Sequence, residues 1–294
     1  MTDVIALTHL SGDHAEINPF GAELAAWRAQ GVDMIWAKDP KIWDQTAPVL
    51  FPIVGWTRND CVRVDGKTYP LGLHGFAWKK KFDVAERRDD YLRLALVDDD
   101  ETRALYPFAF RFEAEFRLHA GALEISLIVA NIDSRPLPYA CGLHPAFRWP
   151  LAGSNAPHAI IFEAEECADV PVIAPGGLLS KSLRKTPLVG RRLPLEPQMF
   201  MHDALCFLNI ASRSLVFDNG EGGRLSVTLE DFPHVGFWTL PPAPYLCIEE
   251  WTGYGDPEDF RGDLYEKPSM RLLAPGERAR HGAIFAFERK ASVG

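Results

Sequence analysis

The sequence lacks the cysteine pattern of a disulfide-stabilised or thiolate-metal protein. Its cysteines are odd in number, and no two form a Cys-x-x-Cys pair. This spacing argues against a disulfide framework or a thiolate metal site and favours a reducing, cytoplasmic location. The chain also has no Gly-x-Gly-x-x-Gly or Gly-x-x-x-x-Gly-Lys-[Ser/Thr] string for binding a nucleotide phosphate. We therefore expect neither a metal nor another cofactor. The cysteines are Cys61, Cys141, Cys167, Cys206 and Cys247.

Positive charge and long apolar runs are also scarce. The 294 residues contain 31 Lys and Arg against 40 Asp and Glu, which gives a formal net charge of −9. With no basic tract, we expect no nucleic-acid partner. No run approaches the roughly 18 apolar residues that a membrane-spanning helix needs. The N-terminal stretch lacks the basic start and long apolar run of a signal peptide. We therefore expect no membrane partner.

Helical periodicity is rare, whereas strand patterns are frequent. The best helix candidate is Asp98–Leu105, which has an acidic start and is ended by Pro107. Apolar and polar residues alternate over Phe112–Leu118, and the alternation resumes over Leu123–Val129 after a short loop with Gly121. This pattern predicts an antiparallel hairpin with one buried face.

The same signals continue along the chain and predict an all-β fold. The 23 Gly and 23 Pro are spread throughout, which favours short elements joined by turns. No linker or repeat marks a domain boundary, so residues 1–294 are interpreted as a single domain built as one large antiparallel β-sandwich. We expect long loops in Leu151–Pro194, the least periodic segment. Further strands are predicted at Tyr91–Val97, Ser214–Phe217, Leu225–Leu229, Gly236–Leu240, Tyr245–Ile248 and Gly282–Phe287.

Three titratable residues stand out in apolar, turn-rich surroundings: His74, His144 and Glu249. A histidine in an apolar strand is often a hydrogen-bonded core residue, so two interpretations stay open for each imidazole. Glu250 lies next to Glu249 on the opposite face of a strand, so we expect one carboxylate inward and the other solvated. An alternative combines the three residues in a two-His, one-carboxylate metal site of a β-barrel enzyme, although the chain has no His-x-His pair.

Taken in order, a set of short strings resembles the aldose 1-epimerase (galactose mutarotase) family, nearest to its LacX-like and glucose-6-phosphate 1-epimerase-like branch. No single string is diagnostic, but the ordered set covers most of the chain. The resemblance implies a β-supersandwich with a sugar cleft on one sheet. The strings are Ala47–Gly55, Asp65–Tyr69, His74–Phe76, Gly142–Phe147, Asp203–Ala204, Cys247–Glu249 and Leu273–Glu277, with Lys267 shortly before the last.

The resemblance also implies roles for individual residues. His144 matches the family's general acid, and Glu249 matches its general base. His74 and Asp203 match residues that hold the sugar hydroxyls. Such a pair would exchange the α and β anomers of an aldose by opening and reclosing the ring, which needs neither metal nor redox cofactor. The partner would be a small sugar, bound by a monomer or a homodimer.

Two departures from the family bear on the substrate. Relatives usually carry an arginine where this chain has Trp56, and Arg58 is the nearest candidate for that substrate contact. Relatives that act on sugar phosphates carry an arginine shortly after His-Gly-Phe, where this chain has Ala77 and Trp78. We therefore expect a neutral aldose, with Trp56 or Trp78 as an apolar wall. The alternatives are a sugar-phosphate epimerase and a non-catalytic sugar-binding protein of the same fold.

Three other tryptophans, Trp27, Trp36 and Trp43, are interpreted as packing residues of the core.

Overall fold

The computed structural model describes residues 4–289, and nearly half of them lie in short antiparallel strands. The strands in chain order are β1 (Ile5–Thr8), β2 (His14–Asn18), β3 (Glu23–Ala29), β4 (Val32–Asp33), β5 (Val49–Leu50), β6 (Cys61–Val64), β7 (Lys67–Pro70), β8 (Asp83–Arg87), β9 (Tyr91–Val97), β10 (Phe110–His119), β11 (Ala122–Asn131), β12 (Leu137–Tyr139), β13 (Gly142–Leu143), β14 (Ala146–Arg148), β15 (Ala159–Phe162), β16 (Asp169–Ala174), β17 (Leu178–Lys185), β18 (Arg192–Pro194), β19 (Leu205–Phe207), β20 (Ser214–Asp218), β21 (Gly223–Glu230), β22 (His234–Trp238), β23 (Tyr245–Trp251), β24 (Arg271–Leu273) and β25 (Arg278–Arg289).

Helices are few and short in this part of the chain. The α-helix α1 (Asp100–Leu105) starts two residues later than predicted, because Asp99 caps it by accepting a hydrogen bond from the backbone N–H of Thr102 at 2.7 Å. Single 3-10 turns occupy Arg58–Asp60, Ala77–Lys79, Leu151–Gly153, Pro197–Phe200 and Leu264–Glu266.

The largest sheet has nine strands in the order β18-β15-β20-β21-β25-β11-β10-β9-β8. Next to the central strand β25, β11 and β10 form the predicted hairpin, with Phe112 opposite Val129 and Leu118 opposite Leu123. Apolar residues at alternate positions of β10 are fully buried. This period-two burial is the reason the sequence folds here as a sheet with one face on the core.

A second sheet of six strands packs against the first. Its order is β19-β22-β23-β13-β5, with β14 paired to β23 as well. The ring of Phe51, next to β5, stacks on Phe112 of the large sheet at a centroid distance of 4.3 Å. Phe147 of β14 contacts Phe285 of β25 at 5.3 Å. One face of the six-stranded sheet thus closes the core, and its other face carries the candidate site.

The segment Leu151–Pro194 contains strands β15 to β18, so the prediction of long loops there was wrong. Strands β15 and β18 extend the nine-stranded sheet at one edge. Strands β16 and β17 form a separate hairpin whose register shifts between Pro171 and Ile173. Many of the hairpin's residues are exposed or half-buried. Its strands therefore lack the clean alternation by which a sequence reveals a sheet.

Candidate active site

A cavity of about 360 Å³ opens on the outer face of the six-stranded sheet. His74, His144, Asp203 and Glu249 all line it, so the structure brings these four predicted residues together. Within residues 4–289 no lysine or arginine side chain lines this cavity. Its aromatic lining residues are Trp43, Trp56, Trp238, Trp251 and Tyr254.

Strand pairing places His144 beside Glu249. Strand β23 pairs first with β13, where Leu143 faces Glu250, and then with β14, where Ala146 faces Cys247. The connection between β13 and β14 therefore runs alongside Glu249. His144 Nε2 lies 3.2 Å from Glu249 Oε2, and the two residues are only 7% and 2% exposed. An imidazole and a carboxyl group in contact, away from solvent, can exchange a proton directly.

Burial controls the ionisation of this pair. Desolvation lowers the pKa of His144 well below its usual range, with a smaller effect from nearby His74. Desolvation raises the pKa of Glu249 well above its usual range, and Asp203 adds to that shift. Both directions favour the uncharged forms, because no cation lines the cavity to offset the loss of water. The pair then holds one proton, which can pass from Glu249 to His144 across their contact.

His74 is held as a neutral hydrogen-bond donor. Its Nδ1 accepts the backbone N–H of Gly55 at 3.1 Å, which assigns the ring proton to Nε2. Burial lowers the pKa of His74 to about 3. The backbone turns here through positive φ at both His74 and Gly75, and a Cβ on Gly75 would collide with the carbonyl oxygen of Phe51. This turn presents the His74 ring at 5.5 Å from the His144 ring and perpendicular to it.

Asp203 lies in the turn before β19 and also has a positive φ, of 75°. Its Oδ1 accepts the backbone N–H of Ala204 at 2.7 Å, which fixes the carboxylate at the rim of the cavity. The Arg184 guanidinium donates to the backbone carbonyl oxygens of Asp203 and Ala204, at 2.8 Å each. The turn is thus held by backbone contacts, while the exposed carboxylate stays available as an acceptor.

Arg58, which was predicted to contact the substrate, does not line this cavity. Arg58 begins a 3-10 turn, and its guanidinium donates to the carbonyl oxygens of Glu258 and Phe260. These bonds direct it to a separate cavity of about 280 Å³. Trp56, 39% exposed, lines the site as expected, whereas Trp78 does not.

Trp43 was expected in the core, but it forms a wall of the site. Its ring centroid lies 5.3 Å from that of His144 and 5.4 Å from that of Trp238. Trp27 and Trp36 are buried as predicted. Trp43 lies outside any regular strand pattern, between Ile42 and Asp44, which are both exposed. This position is the one feature of the sequence that could have indicated a surface role for Trp43.

The expectation that one carboxylate of Glu249 and Glu250 is solvated was wrong. Glu250 is 0% exposed, and neither of its carboxyl oxygens has a hydrogen-bond partner within residues 4–289. Successive strand residues point to opposite faces, so the Glu250 side chain lies on the face opposite Glu249. It shares this face with Ile248, which belongs to the core. Desolvation raises the pKa of Glu250 well above its usual range. Strand β23 is buried on both faces, which period-two reasoning did not anticipate.

Two further properties concern the part of the chain that the structure describes. No cluster of three or more His, Cys, Asp or Glu side chains there has an arrangement that could hold a metal ion. The alternative metal site of His74, His144 and Glu249 therefore has no support from the geometry.

No helix in residues 4–289 is long and apolar enough to cross a membrane.

Comparison with known proteins places these observations in a family. The sequence model of the aldose 1-epimerase family matches residues 3–285. The chain is 28% identical to the protein LacX of Lactococcus lactis subsp. lactis over 257 residues, which cover 83% of this chain and 86% of LacX.

Solved structures agree with this match. A galactose mutarotase related enzyme from Lactobacillus acidophilus is 28% identical, with a TM-score of 0.88 and 99% of both chains covered. A galactose mutarotase-like protein from Lactobacillus casei is 25% identical, with a TM-score of 0.90, covering 97% of this chain and 100% of that one. The all-β, galactose mutarotase-like sandwich predicted from the sequence is confirmed.

Proposed function

The chain belongs to the aldose 1-epimerase family, and we propose that it interconverts the α and β anomers of a neutral aldose. The observation that carries this proposal is the buried contact of 3.2 Å between His144 Nε2 and Glu249 Oε2. It supplies an acid and a base that share one transferable proton, in a cavity of about 360 Å³. Ring opening of a hemiacetal requires one group of each kind.

In the proposed reaction the pair's proton first passes from Glu249 to His144, which leaves Glu249 ionised as the base and His144 protonated as the acid. Glu249 removes the proton of the anomeric hydroxyl, and the bond between C1 and the ring oxygen breaks as a carbonyl group forms at C1. His144 donates its proton to the ring oxygen. Rotation about the C1–C2 bond exposes the other carbonyl face, and the reverse steps close the ring. Each proton transfer contributes about 10²–10⁴-fold.

Other lining residues suit the binding of a neutral sugar. His74 offers its Nε2–H to a hydroxyl oxygen, and the Asp203 carboxylate accepts from hydroxyl groups. Indole rings such as Trp43 and Trp238 offer apolar faces to the C–H groups of a pyranose. No lysine or arginine lines the described cavity, which argues against a phosphate group.

Polarimetry of freshly dissolved α-D-glucose and α-D-galactose tests the proposal. We expect the wild type to accelerate the approach to equilibrium, and His144→Gln and Glu249→Gln each to lose at least about a hundredfold of that acceleration. Glu221→Gln is the matched control, because this carboxylate is exposed in a turn and does not line the cavity. Circular dichroism checks that each variant is folded. Near wild-type rates in either site variant would remove that residue from the mechanism.

The same assay separates the sugar-phosphate alternative. We expect a lower kcat/KM for glucose 6-phosphate than for glucose, because no cationic side chain lines the described cavity. A preference for the phosphate that weakens with added salt would show that a basic group reaches the site. A non-catalytic sugar-binding protein would bind without accelerating mutarotation.

A further inference from the structure

The described lining of the cavity contains two carboxyl groups and no lysine or arginine. Asp203 and Glu249 line it, and the pKa values of His74 and His144 are lowered, so both rings are neutral near pH 7. Arg184, the cation that contacts the Asp203 segment, bonds to backbone carbonyl oxygens and does not line the cavity. Such a site favours a positive ligand over a negative one.

The walls of the cavity have the chemistry that attracts ammonium groups. Trp43 and Trp238 meet edge to face at 5.4 Å and flank His144 at 5.3 and 5.8 Å. Trp56 and Tyr254 also line the cavity. The faces of aromatic rings carry partial negative charge and attract cations. Aromatic faces and a carboxylate together therefore favour a protonated amine more than a hydroxyl group.

The position of the reacting atoms fixes where that amine would be. A base that removes the proton of the anomeric hydroxyl lies beside C1, and the substituent on C2 is the nearest neighbour of that hydroxyl group. Asp203 and Glu249 line the same cavity of about 360 Å³. A cation on C2 would thus lie within the field of both carboxyl groups. It would also favour the ionised, basic form of Glu249.

We propose that among aldoses this site prefers those with a protonated amino group at C2, the 2-amino-2-deoxy sugars. The inference rests on the proposed function and names its substrate class; neutral aldoses remain substrates. We expect kcat/KM for D-glucosamine to exceed that for D-glucose by about tenfold, the size of one partly desolvated cation–π or carboxylate contact. N-acetyl-D-glucosamine keeps the nitrogen but not the charge, so it should lack this advantage.

Anomer exchange of the three sugars is measured by NMR at a pH where glucosamine is protonated, after subtraction of the uncatalysed rate. Asp203→Asn keeps a hydrogen-bonding side chain but removes the charge, so the glucosamine-to-glucose ratio should fall toward one. Glu221→Gln removes the same charge from an exposed turn and should retain the ratio. Raising the pH above the pKa of the sugar's amine should also abolish the preference.

A kcat/KM for glucose equal to or above that for glucosamine would overturn the inference. An advantage over glucose that N-acetylglucosamine shares equally would also overturn it. Either result leaves the epimerase proposal intact. If none of the three sugars is turned over, the epimerase proposal fails. Quenching of tryptophan fluorescence then still compares binding of glucosamine with that of glucose. Tighter binding of glucosamine, lost in Asp203→Asn, would support the cation preference, and equal affinities would refute it.

Discussion

Replacing Glu250 with glutamine should change how the stability of the protein depends on pH. Glu250 is fully buried in β23, and its carboxyl oxygens have no hydrogen-bond partner among the described residues. An unpaired carboxylate at such a place is very costly, so burial raises the pKa of Glu250 and the group keeps its proton. Glutamine has nearly the same shape and carries no proton to lose.

The expected magnitude follows from proton linkage. In the unfolded chain a glutamate ionises near pH 4.3, roughly. Between that pH and the raised pKa of the folded state, the folded protein holds a proton that the unfolded chain has released. The wild type therefore loses about 1.4 kcal/mol of stability for each pH unit of increase. Because Glu250→Gln lacks this loss, its free energy of unfolding relative to wild type should rise by about 2.7 kcal/mol over two such units.

Urea unfolding followed by the fluorescence of the 8 tryptophans measures this difference at a series of pH values. The difference should level off at the pH where folded Glu250 ionises, which gives its pKa directly. Glu221→Gln, at an exposed position, should differ from wild type by an amount independent of pH above about pH 5.5. Parallel stability curves for wild type and Glu250→Gln would mean that Glu250 is ionised when folded, and the argument from burial would fail.

Three further predictions concern the cavity. The His144 ring should not titrate near pH 6.5, roughly the ordinary pKa of histidine, because burial lowers its pKa; an NMR titration of that ring with a midpoint near this pH would contradict this. His74→Asn should raise KM more than it lowers kcat, since His74 is proposed to hold a hydroxyl group; a loss confined to kcat would refute that role. Gly177→Ala should raise KM severalfold and shift tryptophan fluorescence, because the added Cβ atom would collide with the Trp56 ring, which lines the cavity. Unchanged KM and emission would show that Trp56 does not contribute to sugar binding.

The parts of the fold that the sequence predicted are those where burial is one-sided. The β10–β11 hairpin was predicted because its apolar residues alternate, and the alternation reflects one face on the core. The β16–β17 hairpin was missed because it is largely exposed or half-buried and contains a register shift. The 3-10 turn before β6 redirects Arg58 toward the 258–260 backbone, which depends on tertiary contacts.

The candidate site was predicted in its residues but not in its electrostatics. The apolar, turn-rich surroundings of His74, His144 and Glu249 indicated a functional role for these residues, and the family resemblance added Asp203. The resemblance implied His144 as general acid and Glu249 as general base, and at its ordinary pKa the glutamate would be ionised near neutral pH. Burial shifts both groups toward neutrality, and the degree of burial depends on strands that are distant in sequence.

His144, Glu249 and Glu250 are all shifted by the same cause, which is the loss of water without a compensating cation. Desolvation therefore dominates the protonation of these groups, and a charged ligand in the cavity should shift their pKa values. A bound ammonium group should lower the pKa of Glu249, and with it the alkaline limit of activity, relative to a neutral sugar. The substrate preference and the pH profile thus test one physical account, since both depend on a cavity whose described lining contains carboxyl groups and no fixed positive charge.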